Sequence, residues 1–329
     1  MKKFIALILS LVMVFSMTAC GSSETKSEAT ETGAYKVAIV QQLDHSSLDE
    51  IRTAITAQLN TLAAEKGITI TIEEYNGQND GSMLNQIATQ VVADEADMII
   101  PIATLAAVAA VNATEGTDIP VVYAAISDPE SAGLTGIPTV TGVSDALNTK
   151  FILDMMFAAQ PDIQCVGLLY SNSEVNSQTP IAEAKAYLEE KGIEYLEKTG
   201  TTSGEVLEAA ASMVGRVDAV FTPTDNAVMA AEAAVAEVLN ADGIPHYTGA
   251  DSFVTSGAFT TCGVNYTELG TKTAQIAMDV LATGNFPEFH VMDGGIITVN
   301  ADTAKLCGID YSIFSSMANT VNAVTTVSE

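Results

Sequence analysis

The sequence predicts an α/β protein in which two similar doubly wound parallel sheets form two lobes joined by multiple hinge strands. From Tyr35 onward, apolar runs rich in β-branched residues alternate with segments of helical spacing. This is the pattern expected of parallel strands linked by right-handed helical crossovers. Near Asp145 the same series starts again with units of similar length. A chain of 329 residues also has room for two lobes of ordinary domain size.

The first 20 residues have the layout of an export signal and are not expected to belong to the fold. Lys2 and Lys3 precede an apolar run that is too short for a comfortable membrane span. The run ends in Met17-Thr18-Ala19-Cys20, which is similar to a bacterial lipoprotein box, where the cysteine becomes the lipidated first residue. A cleaved signal with an unlipidated Cys20 is the alternative. Residues 21–34 are mostly small or charged, so they are predicted to form a flexible tether.

The first lobe is predicted to comprise residues 35–144 and about residues 257–288. The first helix is expected over residues 46–66, with Ser46 or Ser47 as its N-cap and Gly67 as its stop. Two more helices are expected over residues 80–94 and 105–114. The strands expected between them are YKVAIVQ, ITITIEEY, DMIIPIA, VVYAAIS and VTGVS.

The second lobe is predicted to comprise residues 145–256 and about residues 289–329. Helices are expected over residues 146–159, 180–191, 203–213 and 227–240, separated by the strands CVGLLYS, IEYLEKTG, DAVFTPTD and PHYTGAD. AFTTCGVNY and a helix over residues 267–281 follow, and FHVMDGGIITVN is long enough to bridge two lobes. Crossings are expected near residues 142–145, 251–257 and 287–292. Several parallel hinges permit one closing motion and resist others.

The charge of the chain argues against nucleic acid as a partner. The sequence has 13 Lys and Arg residues against 41 Asp and Glu residues, and a cleaved signal would remove Lys2 and Lys3, which leaves a mature charge of about −30. Such a surface repels nucleic acid and anionic lipid headgroups. Beyond Cys20 there are three cysteines, an odd number that argues against a disulfide framework, and all three are interpreted as buried apolar residues.

Polar side chains follow several of the predicted strands at their carboxyl ends. Ligands of open parallel sheets bind at that edge. Hardly any Arg or Lys lies among these residues, so they indicate a cleft for a small polar molecule. The candidate ligand-binding residues are Gln42, Ser46, Thr104, Ser127, Asp128, Ser144, Asp145, Glu174, Asn176, Ser177, Thr224, Asp225, Asn226 and Asp251.

Seven motifs in a fixed order carry a family resemblance. They are VAIVQ followed by His45 and Leu48-Asp49, then ATLAA, AISDPESAGL, TGVSD, YSNSEVNS, FTPTDNAV and NYTELG. Together they resemble the solute-binding lipoproteins of bacterial ABC importers with the type I periplasmic-binding-protein fold, and more narrowly the branch that binds tryptophan and tyrosine. The family pattern has Thr-Pro where this chain has Thr104-Leu105, so the start of that helix is expected to differ.

The resemblance implies a biological setting for the protein. It implies an extracytoplasmic protein held at the cell membrane by the lipidated Cys20. It also implies a small-molecule ligand, an amino acid and by preference an aromatic one, with an ABC permease and its ATPase as partners. No cofactor is implied.

An amino acid presents a carboxylate and an ammonium group, which require different partners. Thr104 and Ser127 stand just beyond strands at or before a helix start, where the helix dipole favours a carboxylate. Thr104 is otherwise only an N-cap. Asp225 or Asp251 is expected to bind the ammonium group through a charge-assisted hydrogen bond. The alternative for both aspartates is that each caps the helix that follows it.

The other candidates are assigned by their position along the chain. Glu174, Asn176 and Ser177 follow a strand of lobe 2 and could close over the ligand, whereas Asp128, Ser144 and Asp145 lie on the hinge side. Asp145 is equally well interpreted as the cap of a helix beginning at Ala146. Near the first strand the candidates are Gln42, Ser46 and His45, the last more typical of a surface or capping group. Tyr123, Tyr170, Phe253 and Tyr266 could supply an aromatic wall, but the first two sit in strands and are more typical of core.

The sequence gives little support to an enzyme. It contains no HExxH, GxSxG or Walker motif and no GxGxxG after a strand, and its three histidines lack metal-ligand spacing. A carboxylate-based cell-surface hydrolase stays open as an alternative, as does a receptor that senses ligand without transport. Within binding proteins, the alternative ligands are a branched-chain amino acid, a nucleoside or a sugar.

Overall fold

A computed structural model describes residues 33–327 of the protein, and these residues form two α/β sheets of the predicted class. The predicted signal, Cys20 and tether residues 21–32 lie outside the described residues. Strands and helices are numbered below in chain order. β1 (Ala34–Gln41) begins with Ala34, so this residue belongs to the fold and not to the tether.

The first sheet has six strands in the order β11-β5-β4-β3-β1-β2. All neighbouring pairs are parallel. The alternation of side chains along β1 explains the two covered faces, since Val37 and Ile39 pack on one face while Ala38 and Val40 pack on the other. Besides β1, the strands are β2 (Thr69–Asn76), β3 (Met98–Ile102), β4 (Val121–Ala124), β5 (Val140–Ser144) and β11 (His290–Val291).

Two helices cover each face of the first sheet. On the Val37 face lie α1 (Ser46–Lys66) and α10 (Tyr266–Thr283), which pack against each other. On the opposite face lie α2 (Gly81–Ala93) and α3 (Thr104–Ala113). This arrangement is the doubly wound lobe that the sequence predicts.

The second sheet has seven strands in the order β13-β12-β10-β9-β8-β6-β7. Its neighbours are parallel except for β10 and β12, which are antiparallel. The sequence did not indicate this antiparallel pair. The strands are β6 (Cys165–Tyr170), β7 (Glu194–Thr199), β8 (Ala219–Thr222), β9 (His246–Thr248), β10 (Thr260–Gly263), β12 (Ile296–Asn300) and β13 (Thr320–Val324).

The second sheet is also covered on both faces. On one face lie α4 (Thr149–Ala159), α5 (Gln178–Lys191) and α11 (Ala301–Cys307). On the other face lie α6 (Ser203–Ala211), α7 (Asn226–Met229), α8 (Glu232–Ala241) and α9 (Asp251–Thr255). A short 3-10 segment, Val175–Ser177, precedes α5, and a second one, Ser312–Ser316, precedes β13.

The chain passes between the sheets through three connections, two of which differ from the expected positions. Residues 145–148 link β5 to α4. The return expected near residues 251–257 instead falls at residues 264–265, because β10 pairs with β9 and β12 in the second sheet. The last crossing falls at residues 292–295 and not at 287–292, because β11 still pairs with β5. The lobe boundaries predicted near residues 257 and 289 are corrected accordingly.

Two helix starts also differ from the sequence prediction. The helix expected from Ala146 begins at Thr149, because the side chain of Asn148 accepts a hydrogen bond from Phe151 N at 3.1 Å and caps it. Asp145 is therefore not a helix cap. The helix expected over residues 227–240 is divided into α7 and α8, and Asp225 caps α7 by accepting from Val228 N at 2.9 Å.

The cysteines are less uniformly buried than expected. Cys165, Cys262 and Cys307 all carry free thiols, but only Cys262 is buried, while the other two are partly exposed. Among the helices of residues 33–327, none combines the length and the apolar character needed to cross a bilayer.

Candidate functional site

A cavity lies where the carboxyl ends of the two sheets face each other. The first lobe contributes residues that follow β1, β3, β4 and β5, together with Tyr266 of α10, and the second contributes residues that follow β6, β8 and β9. The wall is formed by His45, Ser47, Leu48, Ala103, Thr104, Ala125, Ser127, Asp145, Asn176, Thr224, Asp225, Asn226, Met229, Ala250, Ser252, Phe253 and Tyr266.

The apolar part of the wall belongs to one hydrophobic cluster that draws on both lobes. Leu48 and Tyr266 come from helices of the first lobe, whereas Met229 and Phe253 come from helices of the second. The remaining apolar wall residues, Ala103, Ala125 and Ala250, belong to the same cluster. A flat apolar side chain would therefore be buried against residues from both lobes.

Two helices of the first lobe point uncapped N-termini at the cavity. Neither His45 before α1 nor Ala103 before α3 makes a side-chain capping hydrogen bond. The first backbone N–H groups of a helix lack partners within the helix, and the helix dipole favours an anion there. Thr104 is the first residue of α3 and is buried in the wall. The start of α3, at Thr104, is therefore suited to a carboxylate.

The backbone is strained at two wall residues. Ala103 has φ 73° and ψ 164°, and Ala125 has φ 57°, although neither is glycine. Such conformations are costly for residues with a Cβ and are common where a site fixes backbone groups. Each alanine directly follows a strand of the first sheet, so the strain aims the succeeding backbone at the cavity.

Hydrogen bonds join the two lobes around the cavity. Gln42 Nε2 donates to Glu174 Oε1 at 2.9 Å, and Ser47 Oγ donates to Asp251 Oδ1 at 3.0 Å. Further inter-lobe pairs are Ser127 Oγ with Thr224 Oγ1 at 2.8 Å, His45 Nε2 with Asn226 Oδ1 at 3.3 Å, and Thr179 Oγ1 with Asp128 Oδ2 at 2.6 Å. These contacts describe a closed cleft.

Leu105 supports one of these contacts through its backbone. Its N–H donates to Gln42 Oε1 at 3.1 Å and so orients the amide whose nitrogen faces Glu174. A proline at this position, as in the family pattern, has no N–H to donate. The departure at Leu105 thus adds an anchor for an inter-lobe hydrogen bond.

Asp225, in the wall, and Glu174, behind it, form a buried acidic pair. Burial, with the charge of Asp225, raises the pKa of Glu174 to about 8, while the amides of Asn226 and Gln42 oppose the rise. Burial also raises the pKa of Asp225. Asp225 accepts from Ser171 N, Ser177 Oγ and Val228 N, so its two oxygens are occupied within its own lobe.

Asp145 is a wall carboxylate with much less internal hydrogen bonding. Ser127 Oγ donates to its Oδ1 at 3.0 Å, and that is the side-chain bond it makes among the described residues. Burial raises the pKa of Asp145 to about 6, against the effect of the Ser127 hydrogen bond. A desolvated carboxylate with spare acceptor capacity is a suitable partner for a ligand cation.

Seven of the fourteen predicted residues lie in the cavity wall. They are Thr104, Ser127, Asp145, Asn176, Thr224, Asp225 and Asn226. Gln42, Glu174 and Ser177 lie behind it, where they hold wall residues or the opposite lobe. These three residues support the wall and do not form it.

The remaining four predicted residues lie elsewhere for identifiable reasons. Ser46 is exposed, because the next residue along α1, Ser47, is the one turned inward. Asp128 lies outside the wall and accepts from Ser131 and Thr179. Ser144 Oγ accepts from Ala146 N within the first crossover, and Asp251 accepts from Ser47 outside the wall.

Several wall residues were not among the candidates predicted from the sequence. Ser47, Leu48, Met229 and Ser252 lie on helices whose rotation about their axes decides which residue faces the cavity. Phe253 and Tyr266 line the cavity, whereas Tyr123 and Tyr170 pack in separate hydrophobic clusters. Among residues 33–327 no group of His, Cys, Asp and Glu side chains is arranged to hold a metal ion.

The two hinged lobes and the enclosed cavity define a two-lobed binding protein of the periplasmic-binding-protein type. Residues 36–318 match the family described as ABC transporter substrate binding protein. The chain is 34% identical over 319 residues to the tyrosine-binding protein of Clostridioides difficile (strain R20291), a match that covers 92% of each chain. The chain therefore belongs to the ABC transporter substrate-binding family, a class of binding proteins that work outside the cytoplasm. This confirms the resemblance given by the sequence motifs.

Two solved structures are informative about the conformation. A domain from Streptococcus pneumoniae in complex with L-Trp is 29% identical, with a TM-score of 0.81 over 88% of this chain and 100% of that one. The ligand-free, open structure of a substrate binding protein with adhesive properties from Clostridium difficile is 32% identical, with a TM-score of 0.67 over 89% and 100%. The more identical relative superposes less well. A lower TM-score to the open structure is expected if this protein is closed, as its inter-lobe hydrogen bonds indicate.

Proposed function

We propose that the protein captures an aromatic amino acid between its lobes and delivers it to an ABC import permease. The observation that carries this proposal is the composition of one cavity, which combines a buried carboxylate, an uncapped helix N-terminus and an apolar wall containing Phe253 and Tyr266. Those three features match the ammonium group, the carboxylate and the side chain of such a ligand. The tyrosine-binding relative and the L-Trp complex support the same class of ligand.

The carboxylate of the ligand is proposed to bind at the start of α3. Thr104 supplies a hydroxyl and its own backbone N–H. Ser127, which the sequence also predicts for this role, donates its one hydroxyl proton to Asp145 and is therefore not assigned a bond to the carboxylate. Hydroxyl and backbone N–H donors at a helix N-terminus stabilise an anion without a basic side chain. This agrees with the absence of Lys and Arg from the wall.

The ammonium group is proposed to bind Asp145 and the amide oxygen of Asn176. This replaces the expectation that Asp225 or Asp251 has that role, because Asp225 is occupied by donors of its own lobe and Asp251 lies outside the wall. Asn176 Nδ2 donates to Thr224 O at 2.7 Å, which leaves Oδ1 buried and without a partner in the described part of the chain. An ammonium group would satisfy both acceptors.

Ligand binding and closure are linked in this proposal. The proposed partners of the ligand come from both lobes, so the complete set of contacts forms only when the cleft is closed. A ligand shifts such an equilibrium by its differential affinity for the closed state. The closed form would then be the one presented to the permease.

We further propose that the lipidated Cys20 anchors the protein to the cell membrane. The support is the lipoprotein-like motif at residues 17–20 and the polar tether after it. An extracytoplasmic protein tethered in this way stays close to its permease. Two signals or an additional protein contact often strengthen a single lipid anchor.

Isothermal titration calorimetry on ligand-free protein tests the proposed ligand class. The protein is unfolded and refolded to remove any co-purified solute and is then titrated with the twenty amino acids, with nucleosides and with sugars. Micromolar or tighter binding of tyrosine, tryptophan or phenylalanine, without product formation, is the expected result. Binding of a sugar or nucleoside in their place, or turnover of any ligand, would contradict the proposal.

A further inference from the structure

Three side-chain atoms of the cavity wall are buried without a hydrogen-bond partner among residues 33–327. They are His45 Nδ1, Asn176 Oδ1 and Ser252 Oγ. Buried polar groups in native proteins are nearly always hydrogen-bonded, so unpaired atoms in a cavity wall indicate groups that the ligand satisfies. Asn176 is accounted for above by the ligand ammonium group. His45 is left with an unpaired ring nitrogen.

A chain of hydrogen bonds fixes which nitrogen of His45 carries the proton. Leu105 N–H donates to Gln42 Oε1, so Gln42 Nε2 is the atom that donates to Glu174 Oε1. Glu174 Oε2 accepts from Asn226 Nδ2 at 3.0 Å. Asn226 Oδ1 thus faces His45 Nε2 at 3.3 Å, and we assign the proton of the neutral ring to Nε2, which can donate to that oxygen. In a neutral imidazole the other nitrogen, Nδ1, is then an acceptor.

The surroundings of His45 keep the ring neutral. Burial lowers its pKa from the ordinary value, against weaker contributions from the Asn226 hydrogen bond and from the charges of Asp49 and Asp44. Nδ1 of a neutral ring with its proton on Nε2 has a lone pair and no hydrogen. A ligand group that meets this atom must therefore be a hydrogen-bond donor.

The position of His45 places this acceptor beside the apolar part of the wall. His45 and Leu48 are three residues apart at the start of α1, and Asn226 and Met229 are three residues apart on α7. Residues with this spacing share a helix face. The His45 and Asn226 pair thus lies with Leu48 and Met229, which belong to the same hydrophobic cluster as Phe253.

We propose that His45 Nδ1 accepts a hydrogen bond from a donor on the ligand's aromatic side chain, so that the site selects tyrosine or tryptophan over phenylalanine. This inference rests on the proposed function, since it assigns the side-chain end of the same cavity. A phenol O–H and an indole N–H are donors, whereas phenylalanine offers none. A site built to bond such a group rejects the analogue that lacks it, because its own acceptor is left unpaired.

Calorimetry with four related ligands tests this role. Wild-type protein is titrated with L-tyrosine, L-tryptophan, L-phenylalanine and 4-amino-L-phenylalanine, which restores a donor to the phenylalanine ring. We expect at least one donor-bearing ligand to bind about tenfold or more tightly than phenylalanine. Phenylalanine that binds as tightly as all three donor-bearing ligands would overturn the inference and leave the proposed function intact. Failure of all four to bind would overturn both.

Variants at position 45 separate hydrogen bonding from packing. His45→Leu removes the acceptor and also the inter-lobe bond to Asn226, so the affinities for all ligands should fall. The affinities for the preferred ligand and for phenylalanine should nevertheless come to within about threefold of each other. His45→Asn, whose amide oxygen can take the place of Nδ1, should retain part of the preference. His290→Leu, at an exposed histidine on β11, is the matched control and should behave as wild type. Retention of the full preference in His45→Leu would overturn the inference.

Discussion

Gln42, at the end of β1 in the first lobe, donates a 2.9 Å hydrogen bond to Glu174 of the second lobe. The same amide nitrogen donates to Asn79 at 2.8 Å, and its oxygen accepts from Leu105 N. All of these groups are at or near the cleft, and Gln42 and Glu174 are fully buried. This bond exists only when the lobes are closed, so it links the stability of the closed form to a residue that does not line the ligand cavity.

Gln42→Ala should shift the protein toward the open form. The change removes the donor to Glu174 and leaves a buried carboxylate oxygen unpaired in the closed state, at a cost of about 1–3 kcal/mol. We expect ligand affinity to fall by about 5- to 100-fold. The melting temperature should fall as well, because the bonds to Asn79 and Leu105 within the first lobe are also lost. Calorimetry measures the affinity, and small-angle X-ray scattering should show a larger radius of gyration at equal ligand concentration.

The matched control for this prediction is Gln90→Ala. Gln90 is an exposed glutamine of the same lobe, and its side chain bonds only Asp94 on its own helix end. Affinity and radius of gyration should match wild type. Equal affinity in Gln42→Ala and Gln90→Ala would show that the inter-lobe bond contributes nothing to closure.

Asp145→Asn should weaken ligand binding while it stabilises the ligand-free protein. Removal of the charge replaces a charge-assisted bond to the ammonium group with a neutral one, so affinity should fall by about 10- to 100-fold. Because burial raises the pKa of this carboxyl group, the charged form destabilises the closed protein at neutral pH, and the amide should raise its melting temperature.

Asp251→Asn is the control that distinguishes Asp145 from Asp251 as the carboxylate that binds the ammonium group. Asn at this position can still accept from Ser47, which preserves the inter-lobe contact. Its affinity should stay within about threefold of wild type. If Asp251→Asn weakens binding while Asp145→Asn does not, the assignment of the ammonium group is wrong.

Ligand affinity should fall at acidic pH through the titration of Asp145. Its pKa is about 6 in the closed, ligand-free protein, so below that pH the carboxyl group gains a proton and loses its attraction for the ammonium group. We expect the dissociation constant to rise by up to tenfold per pH unit below about 6. Calorimetry between pH 5 and 8 measures this dependence. Asp145→Asn should remove it, which separates Asp145 from Glu174, whose pKa of about 8 lies above this window.

The same raised pKa has a defined effect on folding stability. Between its ordinary value of 3.8 and about 6, the native protein binds a proton at Asp145 that the unfolded chain has released. The contribution of this group to the free energy of unfolding therefore decreases as the pH rises through that interval. The difference in the free energy of unfolding between wild type and Asp145→Asn, measured by chemical denaturation, should widen from pH 4 to pH 6. A constant difference would contradict the assigned pKa.

Ala103→Gly should stabilise the protein by about 1 kcal/mol or more. Ala103 adopts φ 73° and ψ 164°, a conformation that costs about 1–3 kcal/mol for a residue with a Cβ and little for glycine. Ala57→Gly, at an exposed and regular position within α1, should instead destabilise by about 1 kcal/mol. Chemical denaturation of both variants tests the difference in sign, and a loss of stability in Ala103→Gly would show that no strain is stored there.

Cys20→Ala should release the protein from the membrane. Without the thiol no lipid can be attached, and the polar tether has no affinity for a bilayer of its own. Fractionation of cells that express wild type, Cys20→Ala and Cys165→Ala measures the distribution. Cys165, a partly exposed cysteine of the folded region, is the control and should remain with the membrane fraction. Membrane association of Cys20→Ala would refute the anchor.

The sequence was sufficient to predict the fold and the side of each lobe that forms the site. Parallel strands end at a common edge, so Thr104, Ser127 and Thr224 could be located from local patterns of apolar and polar residues. The rotation of a helix about its own axis could not be predicted from such local patterns. Ser46 and Ser47 differ by one residue, but only the second faces the cavity, and the packing of α1 against α10 decides between them.

The choice among the acidic residues depended on contacts that are distant along the chain. Asp225 is occupied by Ser171 N and Ser177 Oγ, 54 and 48 residues away, and no local pattern reveals this. Asp145 is available because the nearby Asn148 caps the helix in its place. The crossing expected near residue 257 was misplaced for a similar reason, since the pairing of β10 with β12 depends on a strand that comes later in the chain.

A crystal structure of the protein grown with its tightest-binding aromatic amino acid tests the central claim most directly. We expect the ligand in the cavity between the lobes, with its nitrogen within about 3 Å of an Asp145 oxygen and its carboxylate at the start of α3. A ligand bound elsewhere, or one whose nitrogen contacts Asp225 or Asp251 and not Asp145, would contradict the account.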